Sequence, residues 1–389
     1  MYLTKEEESV LGGSSGESAQ KAMELVVALG KVYGADRLVD ITSAHLSGAS
    51  YKTIGDGGLK YLEDVSKDAR VKVASTLNPL GMDRDRWSEM KISPEFAKKQ
   101  LKIIELYGKM GVRTTCSCTP YLGDNVPKQG DHVAWAESSA LSFVNSYIGA
   151  RTNREGGPGA LAAAIIGKTA NYGLHISENR APSVVIDAEI GDTIFDHSLL
   201  GQAVGRVIGS AVPYFRNIRP PVESVKTLAA AMAAAGSVAM FHIENVTPEA
   251  KLYDVSQLER IHIGKKELDD ARDVLNTTDD IQLIAFGCPH LTVREITDMA
   301  EFLKDKKKKK DIDIWFCTSS EVRMRCPDQV KILERFGPVL ADTCMVVAPI
   351  ESNYKRTATN SAKAGNYLPT LCSQKVMCRD FEKLMELVI

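Results

Sequence analysis

The chain has 389 residues, 44% of them apolar and 25% charged, the profile of an ordinary soluble globular protein with room for two or three compact domains. Its formal net charge of -2 excludes the overall basic field that nucleic-acid binding needs, and no apolar run reaches the ~18 residues of a membrane helix. Eight cysteines in a chain without a signal-peptide core imply a cytoplasmic location and reduced thiols, which favours metal binding or catalysis over disulfides.

The first predicted element is a helix in "MYLTKEEESVL", where Thr4 can cap and Glu7, three residues on, closes a capping box. "LGGSSGES" at 11–18 then reads as a helix C-cap and loop. Short strands are predicted within 38–48, 71–81 and 111–123, with helical spacing at 96–110. "GARTNREGGPGA" at 149–160 sets Arg151, Asn153, Arg154 and Glu155 before a glycine-rich turn. From about 181 the strand signals are clearer, at 183–190, 237–244, 281–288, 312–319 and 343–350. A helix follows Pro220-Pro221 and stops at Gly236, and another opens with the capping box of Thr292 and Glu295. The basic run "KDKKKKKD" at 304–311 reads as a solvated helix end. Strand, helix and strand in alternation predict an α/β fold with mainly parallel sheets flanked by helices. Two regions are read, 1–180 and 181–389, with an approximate boundary that allows interleaving.

In open α/β sheets, ligands bind beyond the carboxyl ends of the strands. The first predicted strand ends in Ser43, His45 and Ser47, the second in Asn78, and the third in Cys116 and Cys118. Later ones end in His242 and Glu244, in Cys288 and in Cys317, while Cys344 opens its strand just after Asp342. A single cysteine in a strand is commonly a small buried hydrophobe, but recurrence at several strand ends points to chemistry. "CSC" at 116–118 is not C-x-x-C, so a metal site here would gather ligands from distant segments, as an iron–sulfur cluster or zinc would require. The sequence has no Walker A loop, no G-x-G-x-x-G after a strand and no G-x-S-x-G elbow.

The strings "TSAHLSGASYKTIGDGGL", "CTPYLGDNVPKQGDHVAWAESSALSFVNSYIGARTNREGGP", "FGCPHLT" and "TNSAKAGNYLP" resemble the large subunit of aconitase X from end to end. The resemblance implies an aconitase-like, multi-domain large subunit carrying an iron–sulfur cluster, [4Fe-4S] or alternatively [3Fe-4S], that dehydrates a hydroxy acid. One kind of aconitase X is a single fused chain acting on cis-3-hydroxy-L-proline. The other is a heterodimer that converts (R)-mevalonate 5-phosphate to trans-anhydromevalonate 5-phosphate, in a modified mevalonate route to isoprenoids. No swivelling small domain can be read in this chain, so the expectation is a heterodimer with a small swivelling-domain subunit. In the superfamily the base is commonly a serine on that domain, which would place the active site at an interface. A rival reading of another class is a non-catalytic iron–sulfur or zinc protein, marked by a fourth cysteine ligand.

Carried over motif by motif, Cys118 in "CTPYL", Cys288 in "FGCPH" and Cys344 in "DTCMV" are the expected cluster ligands, with Cys317 in reserve. The closely spaced ligand pair of classical aconitases is missing, which leaves cluster type and ligand order open. A phosphorylated hydroxy acid carries two anions, and Arg151 and Arg154 suit either, with Asn153 as a neutral donor. Glu155 is either an orienting partner or a proton carrier, and His45 either transfers a proton or is structural. Ser43, Ser47 and Gly48 could hold a carboxylate or phosphate. Ser138 and Asn145 share a helical face beside Glu137. Asn78, Thr359, Asn360, Ser361 and Lys363 complete the expected substrate contacts, Lys363 toward phosphate.

Overall fold

The computed structural model describes residues 1–123 and 125–389. Three parallel sheets flanked by helices follow one another along the chain. The first has the order Ala74–Leu77, Ser43–Leu46, Val133–Trp135, with His45 opposite both Thr76 and Trp135. The second has the order His242–Ile243, Pro213–Arg216, Val184–Ala188, Arg260–Ile263. The third has five strands, in the order Val339–Ala341, Asp313–Thr318, Leu283–Leu291, Arg356–Thr359, Lys375–Cys378. Every residue of its central strand is buried, which is why "LIAFGCPHL" reads as a nearly unbroken apolar run rather than an alternating one. A small antiparallel pair, Leu38–Asp40 with Lys168–Ala170, stands beside the first sheet.

The helices form where their ends are specified. Both expected capping boxes are present, Thr4 with Glu7 and Thr292 with Glu295. Val222–Ala235 begins after Pro221 and stops at Gly236. Its alanines leave a narrow helix that Ile194–Ile208, Ser138–Phe143 and Ala362–Cys372 all pack against. At the tightest point a Cβ on Gly236 would lie 2.1 Å from the Gly205 carbonyl oxygen, so only glycine permits this approach. The cores cross between sheets: Trp135 and Phe143 pack with Ile186 and Phe215, and Met82 and Ile92 with Leu283 and Trp315. The three sheets are thus bound by shared apolar interiors.

Three predicted strands are revised. Residues 111–123 form only a bridge from Arg113 to Thr76 and the 3-10 turn Pro120–Leu122. The run "TTCSCT" offers no alternating apolar face, and Cys116 has a φ of 50°. At 343–350 there is no strand. The strand is Val339–Ala341, and the chain leaves it at Asp342 with a φ of 59°, so Cys344 follows a strand instead of opening one. The segment 237–244 keeps only His242–Ile243. The lysine run lies past the helix that ends at Leu303, in exposed or half-buried irregular chain.

Candidate functional site

The carboxyl ends of the first and third sheets meet. Ser47 and Gly48 follow the strand ending at Leu46, Asn78 follows Leu77, and Glu137 lies two residues past Trp135. From the third sheet come Cys288, Cys344 and the segment Asn360–Lys363 after Thr359. A short bridge seals the junction: the Leu80 amide donates to Asp342 O (2.9 Å) and the Cys344 amide to Leu80 O (3.1 Å). Between the sheets lies a cavity of about 140 Å³ lined by Asn78, Pro79, Cys118, Glu137, Ser138, Cys288, Cys344, Val346, Val347, Lys363, Tyr367 and Leu371.

Each thiol reaches this cavity by a local irregularity. Cys118 stands at a bend just before the 3-10 turn Pro120–Leu122. Cys288 occupies a bulge of the central strand, where the register with Asp313–Thr318 breaks between Phe286 and Leu291. Gly287 makes that bulge possible: its φ is 94°, and a Cβ there would meet Cys317 O at 2.0 Å. Cys344 follows the left-handed turn at Asp342. Burial pushes the Cys118 thiol up to about 12. The neighbouring Cys288 thiol draws Cys344 below the ordinary thiol range, while Cys344 and burial raise Cys288. The Lys363 ammonium favours the thiolate at all three.

Lys363 is anchored opposite. It sits in the first turn of Ala362–Cys372, capped by Ser361, and forms an ion pair with Glu137 and a hydrogen bond to Ser139 Oγ (3.1 Å). The Asn78 amide donates to the other Glu137 oxygen (2.7 Å). Burial opposes ionisation of Glu137, but Lys363 and the hydrogen bonds from Lys363, Asn78 and Ser139 prevail and hold its carboxyl at about 2. Behind Asn78 lies His45, fully buried, with Nδ1 at 2.8 Å from Thr76 Oγ1. Burial pulls it down to about 4 against the opposing pull of Glu137 and Asn78. His45 Nε2 and Asn78 Oδ1 have no hydrogen-bond partner among the described residues.

The remaining residues singled out in the sequence fall elsewhere. Ser43 opens its strand, at the end away from the cavity, and accepts from Trp135 Nε1 (3.3 Å). Asn145 is fully buried, bonded to Thr152, Ala239 and Arg180. Arg151 donates to His175 O and Ser177 Oγ, both at 2.9 Å, and Asn153 is held by Tyr172 and Leu174. Arg154 is exposed, with one bond to Ala233 O (3.2 Å). Glu155 is buried on the Thr169 hydroxyl (3.3 Å), which leaves burial to push its carboxyl upward. Its backbone amide donates to Trp135 O (3.3 Å), so this segment runs beside the strand that leads to Glu137. Gly157 abuts Ser47, and Thr359 accepts from the Ser361 amide (3.3 Å). Asn360 is half-buried in the turn before that helix.

Cys317 is fully buried in the sheet interior and is not among the residues lining the cavity. Cys116 accepts from Arg84 (3.0 Å) and Cys372 from Lys52 (3.2 Å). Sequence reading missed His290, whose only signal was its place two residues after Cys288 in "FGCPHLT". Its amide donates to Cys118 Sγ (3.2 Å), and its ring touches Ser117 and Thr343. Tyr367, Val346 and Val347 were also missed, because an apolar lining residue carries no local mark.

Among the described residues no group of three His, Cys, Asp or Glu is placed to hold a metal ion. A polynuclear cluster makes no such demand, because its thiolates bind separate irons. Three thiols from three loops around one cavity therefore fit a cluster better than a zinc ion.

Parallel sheets that close on a pocket where thiols of separate loops meet are the architecture of an aconitase-like protein. The models of the aconitase X first, second and third domains match residues 1–178, 182–273 and 281–389. The chain belongs to the aconitase X family. It is 48% identical to the phosphomevalonate dehydratase large subunit of Methanocaldococcus jannaschii, over 99% of this chain and 100% of that one. The crystal structure of the holo-form of Thermococcus kodakaraensis aconitase X superposes with a TM-score of 0.93 at 45% identity, covering 100% of both chains. The cis-3-hydroxy-L-proline dehydratase of Hypocrea jecorina is 33% identical over 96% of this chain, which spans 66% of that protein. No helix among the described residues is long and apolar enough to cross a membrane.

Proposed function

We propose that this chain is the large subunit of a cytoplasmic hydro-lyase that converts (R)-mevalonate 5-phosphate to trans-anhydromevalonate 5-phosphate. It works with an iron–sulfur cluster on Cys118, Cys288 and Cys344 and with a separate small subunit. The observation that carries this reading is that three thiols and the Lys363–Glu137–Asn78 array line one cavity. The end-to-end likeness to phosphomevalonate dehydratase large subunits supports the substrate, and their naming supports the partner.

A cluster held by Cys118, Cys288 and Cys344 would have no fourth protein ligand and would supply Lewis acidity toward the departing hydroxyl. The chain's own residues bind and orient the substrate. Lys363 Nζ presents a fixed positive charge to an anionic end of the substrate, and Glu137 keeps both Lys363 and the Asn78 amide aimed. Asn78 and Ser138 supply neutral contacts at the rim. The base that removes the α-proton is a serine of the small subunit in this reading, so the large subunit alone is inactive.

Anaerobic reconstitution with iron and sulfide in the presence of the small subunit tests this. The expected outcome is iron bound to the large subunit and turnover of mevalonate 5-phosphate but not of cis-3-hydroxy-L-proline. Full-speed dehydration without iron, or a preference for hydroxyproline, would overturn it.

A further inference from the structure

A cluster site assembled from distant loops has a problem that a local motif does not: something must hold the loops together before the cluster arrives. Here one residue reaches all of them. His290 is 1% exposed and lies two residues beyond Cys288. Its Nε2 is 2.7 Å from Thr343 O, the carbonyl just before Cys344. A carbonyl only accepts, so the ring proton sits on Nε2, and Nδ1 accepts from Ser117 Oγ at 3.3 Å, just before Cys118. The His290 amide donates to Cys118 Sγ at 3.2 Å. One residue thus bonds beside two of the ligand cysteines, follows the third, and donates directly to a sulfur.

The residue is itself fixed. Lys226 Nζ donates to His290 O (2.9 Å) and pairs with Glu295, whose carboxylate also accepts from the Thr292 amide at the helix start. Lys226 is buried within Val222–Ala235, so the helix of the second sheet region braces the loop of the third.

We infer that His290 is a positioning residue that holds the three cysteine segments in cluster-ready register in the protein without its cluster. The inference rests on the cluster reading above. Its function is preorganisation: the ring keeps the Cys118 and Cys344 loops at fixed separation from the Cys288 bulge, so incoming iron meets three placed sulfurs.

The test uses the full chain and compares the wild type with His290→Ala, His290→Gln and Ser117→Ala. Iron and sulfide content and the rate at which visible cluster absorption develops are read during anaerobic loading with ferrous iron and sulfide. Melting of each protein before loading is read alongside. Glutamine carries an N–H near the Nε2 position and keeps the bond to Thr343, whereas alanine keeps neither ring bond. The expected result is a loading rate lowered ~10-fold or more in His290→Ala and substantially recovered in His290→Gln, as for other residues that orient metal ligands. Ser117→Ala should load more slowly than wild type with unchanged melting. If His290→Ala does not fold, Ser117→Ala carries the comparison, and its loading at the wild-type rate overturns the inference. Wild-type loading by His290→Ala, or no recovery with glutamine, also overturns it while the cluster reading stands. A wild-type chain that takes up no iron removes both.

Discussion

Lys363 and Glu137 share one buried contact, 9% and 12% exposed, and neither is safe without the other. Lys363→Ala leaves a carboxylate beneath the cavity with no cation, which should lower stability by about 3 kcal/mol or more. The same change removes the charge proposed to hold substrate, so kcat/KM should fall by at least ~100-fold. The double change Glu137→Gln with Lys363→Met separates the two effects. It removes both charges at similar volume, so urea unfolding should show most of the stability restored while turnover stays lost. Restored turnover would show that the pair serves folding alone. The sulfurs divide in a similar way. Serine at Cys118, Cys288 or Cys344 should sharply lower iron content after anaerobic loading. Cys317→Ser should keep its iron and lose roughly 1–3 kcal/mol of stability, the cost of a hydroxyl in an apolar sheet interior. A Cys317→Ser protein without iron would make that residue a ligand.

At the level of elements, the central strand Leu283–Leu291 is where packing and site geometry conflict most. It is buried on both faces, yet it breaks register to turn Cys288 toward the cavity. Gly287 resolves the conflict, since no side chain fits against Cys317 O at a φ of 94°. Gly287→Ala is therefore expected to destabilise the protein by roughly 2–4 kcal/mol, from overpacking and left-handed strain together. It should also reduce iron uptake, because the bulge must move. Normal melting with normal iron content would contradict this account. The helix pair Ile194–Ile208 and Val222–Ala235 meets the same demand for close approach with glycine and alanine, and it carries the brace behind His290.

For the molecule as a whole, acid is the expected weakness. Burial holds His45 at about 4. His175 is held at about 3, first by burial and then by His132, Arg180 and Arg151. His45 faces Thr76, Asn78 and Glu137, and His175 touches His132. Both values lie below the ordinary 6.5, so between about pH 6.5 and 4 the unfolded chain binds more protons than the folded one. Their contribution is complete above pH 6.5 and is lost as pH falls through that window. Urea midpoints of the metal-free protein should drop between pH 7 and pH 5, and replacing either histidine by glutamine should flatten the drop. A midpoint that does not change with pH would remove these residues from the account.

Local chemistry in the sequence determined the capping boxes, the helix behind Pro221 and the alternation that makes an α/β protein. These depend on neighbours a few residues apart, which a linear reading sees. It also marked Asn78, Glu137 and Lys363, through strand ends and a family resemblance. Only the tertiary structure decided that Glu137 pairs with a lysine 226 positions away, that Arg151 is tied to His175 and Ser177 and Asn145 into buried chain, and that His290 joins three loops. The three-residue strands Val133–Trp135 and Val339–Ala341 were equally out of reach, being too short to show a period. The physical reason is common to all of these. A side chain's partners are set by which loops the sheets bring together, and that depends on packing across the whole chain, not on the residues on either side.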